Sequence, residues 1–311
     1  MFTSAQFLVT LALLIPGRVS FLGRYTGISN STWDYGFNVA VGLGSYGTDF
    51  YVTQAPDKGV TVFESNANNQ IFFTVTDYIG SPSDLHFGSQ HVAYTADGFN
   101  TVYKLSGVKE DDHVQARVHC RISPTDTIVD ITKANNVGSG VFFVAANRYA
   151  KENYAKGVVW VCAPAPAIPY VQAILSEEIS SLDSSPDDKL IYILTKSNQT
   201  GKRIVKLDSS KKPSGEEQQM PTLVSLSSKY AFQNGRVRVD KKGNIYAAWM
   251  KKKFIHSFNP QGNLLNTYYF PFVVEHLAIG GGSNHTLAGS GRSTNYASGR
   301  TPYSSTYLHS I

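Results

Sequence analysis

The sequence predicts an all-β fold: a six-bladed β-propeller of four-stranded antiparallel blades, closed by an N-terminal strand. Three observations predict it. The stretch from Asn234 to Tyr268 reads as four short strands joined by tight turns, and a unit of that pattern recurs from Asn38 onward. Within 311 residues, 42% hydrophobic, the 18 Tyr and 17 Phe suit sheets packed face to face. Charged residues amount to only 16%, which argues against a disordered chain.

The unit is clearest at its fifth occurrence. Val237 and Val239 alternate with Arg236, Arg238 and Asp240, the period of two that marks a strand with one buried face. Lys241-Lys242-Gly243-Asn244 forms a turn, because Gly and Asn tolerate positive φ. Ile245 to Met250 is a nearly continuous apolar run, as expected of a strand buried on both faces. Phe254 to Phe258 makes a third strand, Asn259-Pro260-Gln261-Gly262 a second turn, and Leu264 to Phe270 a fourth strand.

Read from the start, residues 1–20 are a secretory signal peptide: Phe7 to Ile15 is an apolar core, Pro16-Gly17 breaks it, and Ser20 ends a small-residue cleavage site. The n-region has no Lys or Arg, which departs from the usual pattern. Residues 21–311 then form a single propeller domain, secreted and without a membrane span. In that compartment the sequons at Asn30, Asn198 and Asn284 are candidate glycosylation sites, Asn198 on a predicted hairpin tip. Cys120 and Cys162, the only cysteines, are free to form a disulfide there, although strand geometry alone does not guarantee the short Cα separation that a bridge needs.

Blade one runs from Asn38 (NVAVGL, TDFYVTQA, GVTVFES, NQIFFTVTD) and blade two from Ser83 (SDLHFGS, HVAYTADG, NTVYKLS, HVQARVHC). Blade three has TIVDIT, SGVFFVAANR, GVVWVCA and YVQAIL; blade four has ISSLDSSPDD, KLIYILTKS, KRIVKLD and TLVSLS. SDLHFGSQHVAY aligns without a gap on GRVRVDKKGNIY, pairing Leu85 with Val237, Phe87 with Val239 and Tyr94 with Tyr246. Blade six is EHLAIGGGSNHTLAGSG followed by a degenerate Gly/Ser/Tyr-rich tail, so its missing outer strand is assigned to Phe21 to Ile28. The polar insertion from Asp208 to Gln219 reads as a surface loop.

Net charge is +5, with Lys and Arg clustered at predicted turns. That distribution fits a solvated rim better than a nucleic-acid surface, and no nucleic-acid module is recognisable. His86 and His256 alternate with apolar neighbours on strands and read as hydrogen-bonded structural histidines; Glu178 and Glu275, which precede blades four and six, read as loop carboxylates. Nucleophile-elbow, P-loop and dinucleotide-binding fingerprints are missing from the sequence.

Two segments carry a family resemblance. SSPDDKLIYILTKSNQTGKRIVKLD resembles the pattern S-P-D-G-K-x-L-Y with a polar hairpin and a strand ending in Asp, and GNIYAAWMKKKFIHSFNPQGNLL resembles G-N-x-Y/W followed by F-D-P-D-G-x-L-L. Both are similar to the regucalcin/gluconolactonase group and its strictosidine-synthase-like and NHL-repeat relatives. The lactonase branch implies a calcium ion at the mouth of the central tunnel, held by a Glu, two Asn and an Asp from different inner strands, with an Asp helping to activate water. Carried onto this sequence, those positions fall at Asp34-Tyr35-Gly36-Phe37, Thr125-Asp126-Thr127, Ser180 and Gln233-Asn234-Gly235. Only Asn234 supplies an oxygen ligand in register, and Asp34 and Asp126 lie one residue away, which in a strand means the opposite face. The expectation is therefore a secreted propeller that binds a small molecule, glycan or extracellular protein at the tunnel mouth, with Asp34, Asp126, Ser180, Asn234 and Glu275 as candidate contacts. No cofactor is expected; the alternative is a calcium-dependent lactonase or esterase with Asn234, Asp34 and Asp126 as metal ligands.

Overall fold

The computed structural model describes residues 39–46, 49–55, 59–64, 70–75, 84–89, 92–108, 113–134, 137–149, 155–197, 201–213, 216–225, 235–249, 252–270, 272–280, 286–292 and 304–311. The expected signal peptide, the strand at Phe21 to Ile28, Asp34, Asn234 and the sequon residues Asn30, Asn198 and Asn284 lie outside the described residues.

All regular structure among the described residues is β, and the strands fall in chain order into antiparallel sets. The first set is β1 (Val39–Tyr46), β2 (Asp49–Ala55), β3 (Gly59–Glu64) and β4 (Gln70–Val75), and the second is β5 (His86–Ser89), β6 (Val92–Ala96), β7 (Thr101–Ser106) and β8 (His113–Arg121). The third is β9 (Asp126–Lys133), β10 (Phe142–Tyr149), β11 (Ala155–Cys162) and β12 (Tyr170–Leu175), and the fourth β13 (Glu178–Ser184), β14 (Leu190–Ser197), β15 (Gly201–Asp208) and β16 (Thr222–Ser225). The fifth is β17 (Gly235–Val239), β18 (Ile245–Trp249), β19 (Phe254–Phe258) and β20 (Leu264–Tyr269). The last described sheet has three strands, β21 (His276–Gly280), β22 (Thr286–Arg292) and β23 (Ser304–Ser310). The tail expected to be degenerate therefore contributes a strand, paired with β22 from Thr286↔Ser310 to Arg292↔Ser304. Low-complexity composition hid it, because Ser and Gly weaken the apolar alternation that marks a strand. The first two sets are also joined, through a short parallel pairing of Thr74↔His113 and Val75↔Val114.

The first strands of successive sets pack side by side, from β1 on β5 through β9, β13 and β17 to β21, and β21 packs on β1. They surround a central channel, and the apolar residues fill the spaces between sets. Ile179, Leu182, Ile191, Ile193 and Val205 of the fourth set meet Phe143, Val159 and Val161 of the third in one core cluster. A second cluster joins Tyr192, Leu194 and Ile204 to Val237, Ile245, Ala247 and Trp249. Each fully buried Val, Leu or Ile contributes roughly 1.5–3 kcal/mol, so these seams hold the sets together. The run from Ile245 to Trp249 is buried on both faces as its composition predicts. Gly243 (φ 84°) and Gly262 (φ 87°) close the two turns of the fifth set, and Asp240 and Asn259 side chains accept the backbone N–H groups inside them.

The insertion after Asp208 is not a free loop throughout. Its backbone at Ser209 and Lys211 accepts hydrogen bonds from Gln172, Glu217 bridges to Ile174, and Lys156 pairs with the Glu217 carboxylate at 2.9 Å. It lies against β12, the outermost strand of the third set. Cys120 at the end of β8 and Cys162 at the end of β11 are joined in a disulfide, with Cα atoms 6.2 Å apart.

Candidate functional site

The innermost strand of each set has a backbone partner on one side only, so its inward N–H and C=O groups must be satisfied by something else. Polar side chains do this. The Val237 N–H donates to Ser181 Oγ (3.1 Å), the Val239 N–H to Asp183 Oδ2 (2.7 Å), and the Leu182 N–H to Asp130 Oδ2 (3.2 Å). Asn147 on β10 both donates to the Ile179 carbonyl (3.0 Å) and accepts from its N–H (2.8 Å). A bulge at Ser180 supports the arrangement: Ile179 pairs with Thr195 and Ser181 with Leu194, while Ile179 and Leu182 both stay in the core.

These side chains belong to a buried ionic cluster in the channel. Arg238 is only 6% exposed, and its guanidinium donates to both oxygens of Asp130 (2.9 and 3.3 Å) and to Asp84 Oδ2. Arg236 donates through Nε to Asp84 Oδ2 (3.1 Å) and through Nη1 to the Ser180 carbonyl (3.2 Å). The His276 ring lies 3.1 Å from Asp84 Oδ1, and Ser181 donates to Asp130. Burial opposes ionisation of Asp84, but Arg236, Arg238 and His276 together hold its carboxyl well below the usual carboxylate range. Arg238, despite its own burial, is held protonated by Asp130, Asp84 and Asp183. Asp183 shifts the other way: burial pushes it up, against Arg238 and the donors Thr132 (2.5 Å), Val239 and Ser184. His86 is buried beside Arg238 and pushed down to about 4, so its imidazole is neutral at pH 7.

At the C-terminal ends of the inner strands the channel widens into a cavity of about 480 Å³. It is lined by Gly44–Tyr46 of β1, Leu85 to Phe87, Thr132 and Lys133 of β9, Asp183 to Pro186, Asp188, Arg238 to Lys241, and Ala278–Gly280 of β21. Of the ionic cluster, Arg238 reaches its lining; its wall also carries the tilted pair Tyr46 and Phe87, with ring centroids 5.8 Å apart. The imidazole Nε2 of His86 is buried there without a hydrogen-bond partner, 4.0 Å from Asp130 Oδ1.

The residues singled out from sequence lie elsewhere. Asp126 opens β9, and its carboxylate is committed within its own set: it accepts from Arg148 (2.7 and 2.8 Å), Trp160 Nε1 (2.9 Å) and Thr125 (3.0 Å). Burial works against ionisation of Asp126, but these donors hold its pKa below the usual value. Ser180 sits in the channel near the start of β13, 2% exposed, with an unpartnered Oγ and a carbonyl facing Arg236. Glu275, half-buried, precedes β21, and Glu178 pairs with Lys196 at 2.7 Å. All four therefore mark the starts of the inner strands, the end opposite the cavity. His256 accepts from Trp249 Nε1 (3.1 Å), the structural role expected of it, whereas His86 does not have the expected hydrogen bond at Nε2.

Asp84, Asp130, Asp183, Arg236, Arg238 and His276 escaped the sequence reading. Alternation with valine marked Arg238 and Asp240 as a solvated face, yet they are 6% and 5% exposed. A signal was present: the inner-strand segments SDLHF, TIVDIT, SSLDSS and RVRVD each set a charged residue beside an apolar one. In a strand packed between sets, neither face is solvent, so such a charge needs a buried partner.

The fold is that of a β-propeller. The chain is similar to a solved luciferin-regenerating enzyme (TM-score 0.66, 14% identity, 89% of this chain and 92% of that one) and to the calcium-binding protein regucalcin of Agrobacterium tumefaciens (TM-score 0.63, 13% identity, 89% and 91%). It is also similar to a chain in the nidogen/laminin complex (TM-score 0.55, 12% identity, 75% and 80%). Regucalcin belongs to the group that the fourth- and fifth-set segments resemble. No protein-family profile matches the sequence, and none of the curated proteins matches it.

A calcium ion of the kind the lactonase resemblance implies does not fit the donors described. Asp84 and Asp130 are neutralised by Arg236 and Arg238, Asp126 is held by Arg148, and Ser180 offers a neutral hydroxyl. Among the described residues, no group of three or more His, Cys, Asp and Glu side chains could hold a metal ion. A guanidinium at the inner strands repels the charge that such a site must attract.

Proposed function

We propose that the chain is a secreted six-bladed propeller, closed by a strand from residues 21–28 beside β23, that binds a small molecule, glycan or protein at a mouth of its channel and does not hydrolyse lactones. One observation carries the functional part of this reading: the channel carboxylates Asp84 and Asp130 are already partnered by buried guanidinium groups, leaving these two neither free to ligate a hard cation nor free to activate water. Six sets of strands, counting the last three-stranded sheet, support the blade number, and among the described residues β23 pairs only with β22. The disulfide between Cys120 and Cys162 supports an oxidising compartment. Among the described residues no helix is long and apolar enough to cross a membrane.

The test is isothermal titration of the purified chain with calcium, using Asp34→Ala and Asp126→Ala as controls. Without a free in-register carboxylate, binding is expected at millimolar affinity at best, about −4 kcal/mol. Micromolar binding abolished by those substitutions overturns the reading. It would favour the second one, a calcium-dependent lactonase or esterase, which the fold likeness to calcium-binding regucalcin supports and which a lactone-hydrolysis assay would then test.

A further inference from the structure

The cavity at the C-terminal ends of the inner strands lies at the opposite end of the channel from the positions where the lactonase resemblance places a ligand site. Its polar groups divide by sign in what they have left to offer. The carboxylates are already engaged: Asp183 accepts from Thr132, Ser184 and Val239; Asp240 from Lys242, Asn244 and Tyr246; and Asp188 from Ser184. Arg238 is bound to Asp84 and Asp130. Three nitrogen groups are not engaged in this way. The Lys133 ammonium, half-buried in the wall, has no hydrogen bond or ion pair within 4 Å among the described residues; Asp188 is the charge that acts on it from nearby. The buried Nε2 of His86 has no hydrogen-bond partner, and Lys241 stands exposed at the rim. Leaving an ammonium half-desolvated and unpaired is unfavourable, and an anion seated against this wall would relieve that cost.

We propose that this cavity binds a small organic carboxylate, with the Lys133 ammonium pairing the carboxylate, Lys241 adding positive charge at the rim, and the Tyr46 ring covering the ligand's carbon skeleton. The volume, about 480 Å³, lies within the range of about 300–1,000 Å³ common to small-molecule sites. Tyr46 is 38% exposed against the buried Phe87, which gives the rim an aromatic surface fixed from behind. The proposal rests on the reading of the chain as a channel-mouth binder and specifies which mouth and which ligand chemistry.

The experiment is a binding screen on the intact mature chain, by thermal shift and then calorimetry. The panel consists of small carboxylates (among them benzoate, gluconate and glucuronate), each with its neutral amide, alcohol or parent sugar, and inorganic phosphate. At least one carboxylate is expected to bind below about 1 mM, with its neutral counterpart at least tenfold weaker. Affinity should fall as ionic strength rises. Lys133→Met and Lys133→Gln are each expected to lose at least tenfold in affinity while keeping the thermal midpoint of the unliganded protein. Phosphate binding as tightly as any carboxylate overturns the assignment of ligand class. Panel members that bind Lys133→Met as well as wild type overturn the site and leave the binder reading standing. A panel in which nothing binds, charged or neutral, overturns the carboxylate site, while the binder reading is decided separately by the calcium titration.

Discussion

Replacing Arg238 with Met tests whether the ionic cluster is what fixes the channel. Met keeps much of the side-chain volume and removes the guanidinium. Asp84 would still be held by Arg236 and His276, so the main orphan is Asp130, left with the Ser181 hydroxyl and the Ile131 and Leu182 N–H groups. Two unit charges about 4 Å apart at an effective dielectric constant of about 20 attract by about 4 kcal/mol. Removing one partner of a buried pair costs about 3–5 kcal/mol by direct comparison. At roughly 2–4 °C per kcal/mol for a domain of this size, the thermal midpoint should fall by roughly 6–20 °C. The pH dependence gives an independent readout. Burial already pushes the Asp183 carboxyl up, and without Arg238 it loses the charge that opposes the rise, so the folded state takes up its proton before the unfolded chain does and acidification stabilises the variant more than the wild type. The stability gap between variant and wild type, from urea unfolding, should therefore narrow between pH 7 and pH 5, and Asp130→Asn added to Arg238→Met should recover part of the loss. A variant within about 1 kcal/mol of wild type at pH 7, or a gap that widens on acidification, refutes the reasoning.

Two further predictions concern the same architecture. His86 has a folded pKa near 4 against 6.5 for the free side chain, so the unfolded state binds its proton first; stability should fall as pH drops from 6.5 to 4 and level off below, by about 3 kcal/mol at most, and His86→Gln should remove that part of the slope in urea midpoints. Cys120 and Cys162, 42 residues apart, close a loop whose chain-entropy contribution is about 4 kcal/mol, so Cys120→Ser with Cys162→Ser should lower stability by about 2–4 kcal/mol, and a reductant should shift the wild-type midpoint and leave the double variant's unchanged.

The strands were readable because their signal is local. Ile245 to Trp249 announced a doubly buried strand by composition, and Gly243 and Gly262 announced their turns by the φ angles the chain needs. The channel was not readable, because its chemistry depends on distant pairings. Asp84 and Arg238 are 154 residues apart and Asp130 and Arg238 are 108 apart, separations at which no sequence pattern indicates a contact. Period-two reasoning also misassigned Arg238 and Asp240, since it supposes that the polar face of a strand meets water. In an inner strand of this fold both faces meet other blades, and the strand's edge meets the channel. Asp126, which its register had put one residue out of line and so on the opposite face, is held within its own sheet by Arg148 and Trp160.

The side chains that satisfy the inner strand edges also make each junction between neighbouring blades a distinct lock. Val237 needs Ser181, Val239 needs Asp183, and Ile179 needs Asn147; none of these partnerships is repeated with the same residues at another described junction. Backbone ladders are interchangeable from blade to blade, but these locks are addressed to one neighbour only. Excising the fourth blade would bring β9 against β17 with Asp130 still facing Arg238 but with Val237 and Val239 stripped of their acceptors. Opening the chain at the Lys241–Asn244 turn and rejoining it elsewhere would leave every lock closed. A re-cut array is thus expected to keep its junctions, whereas one shortened by a blade loses the polar partners at the new seam.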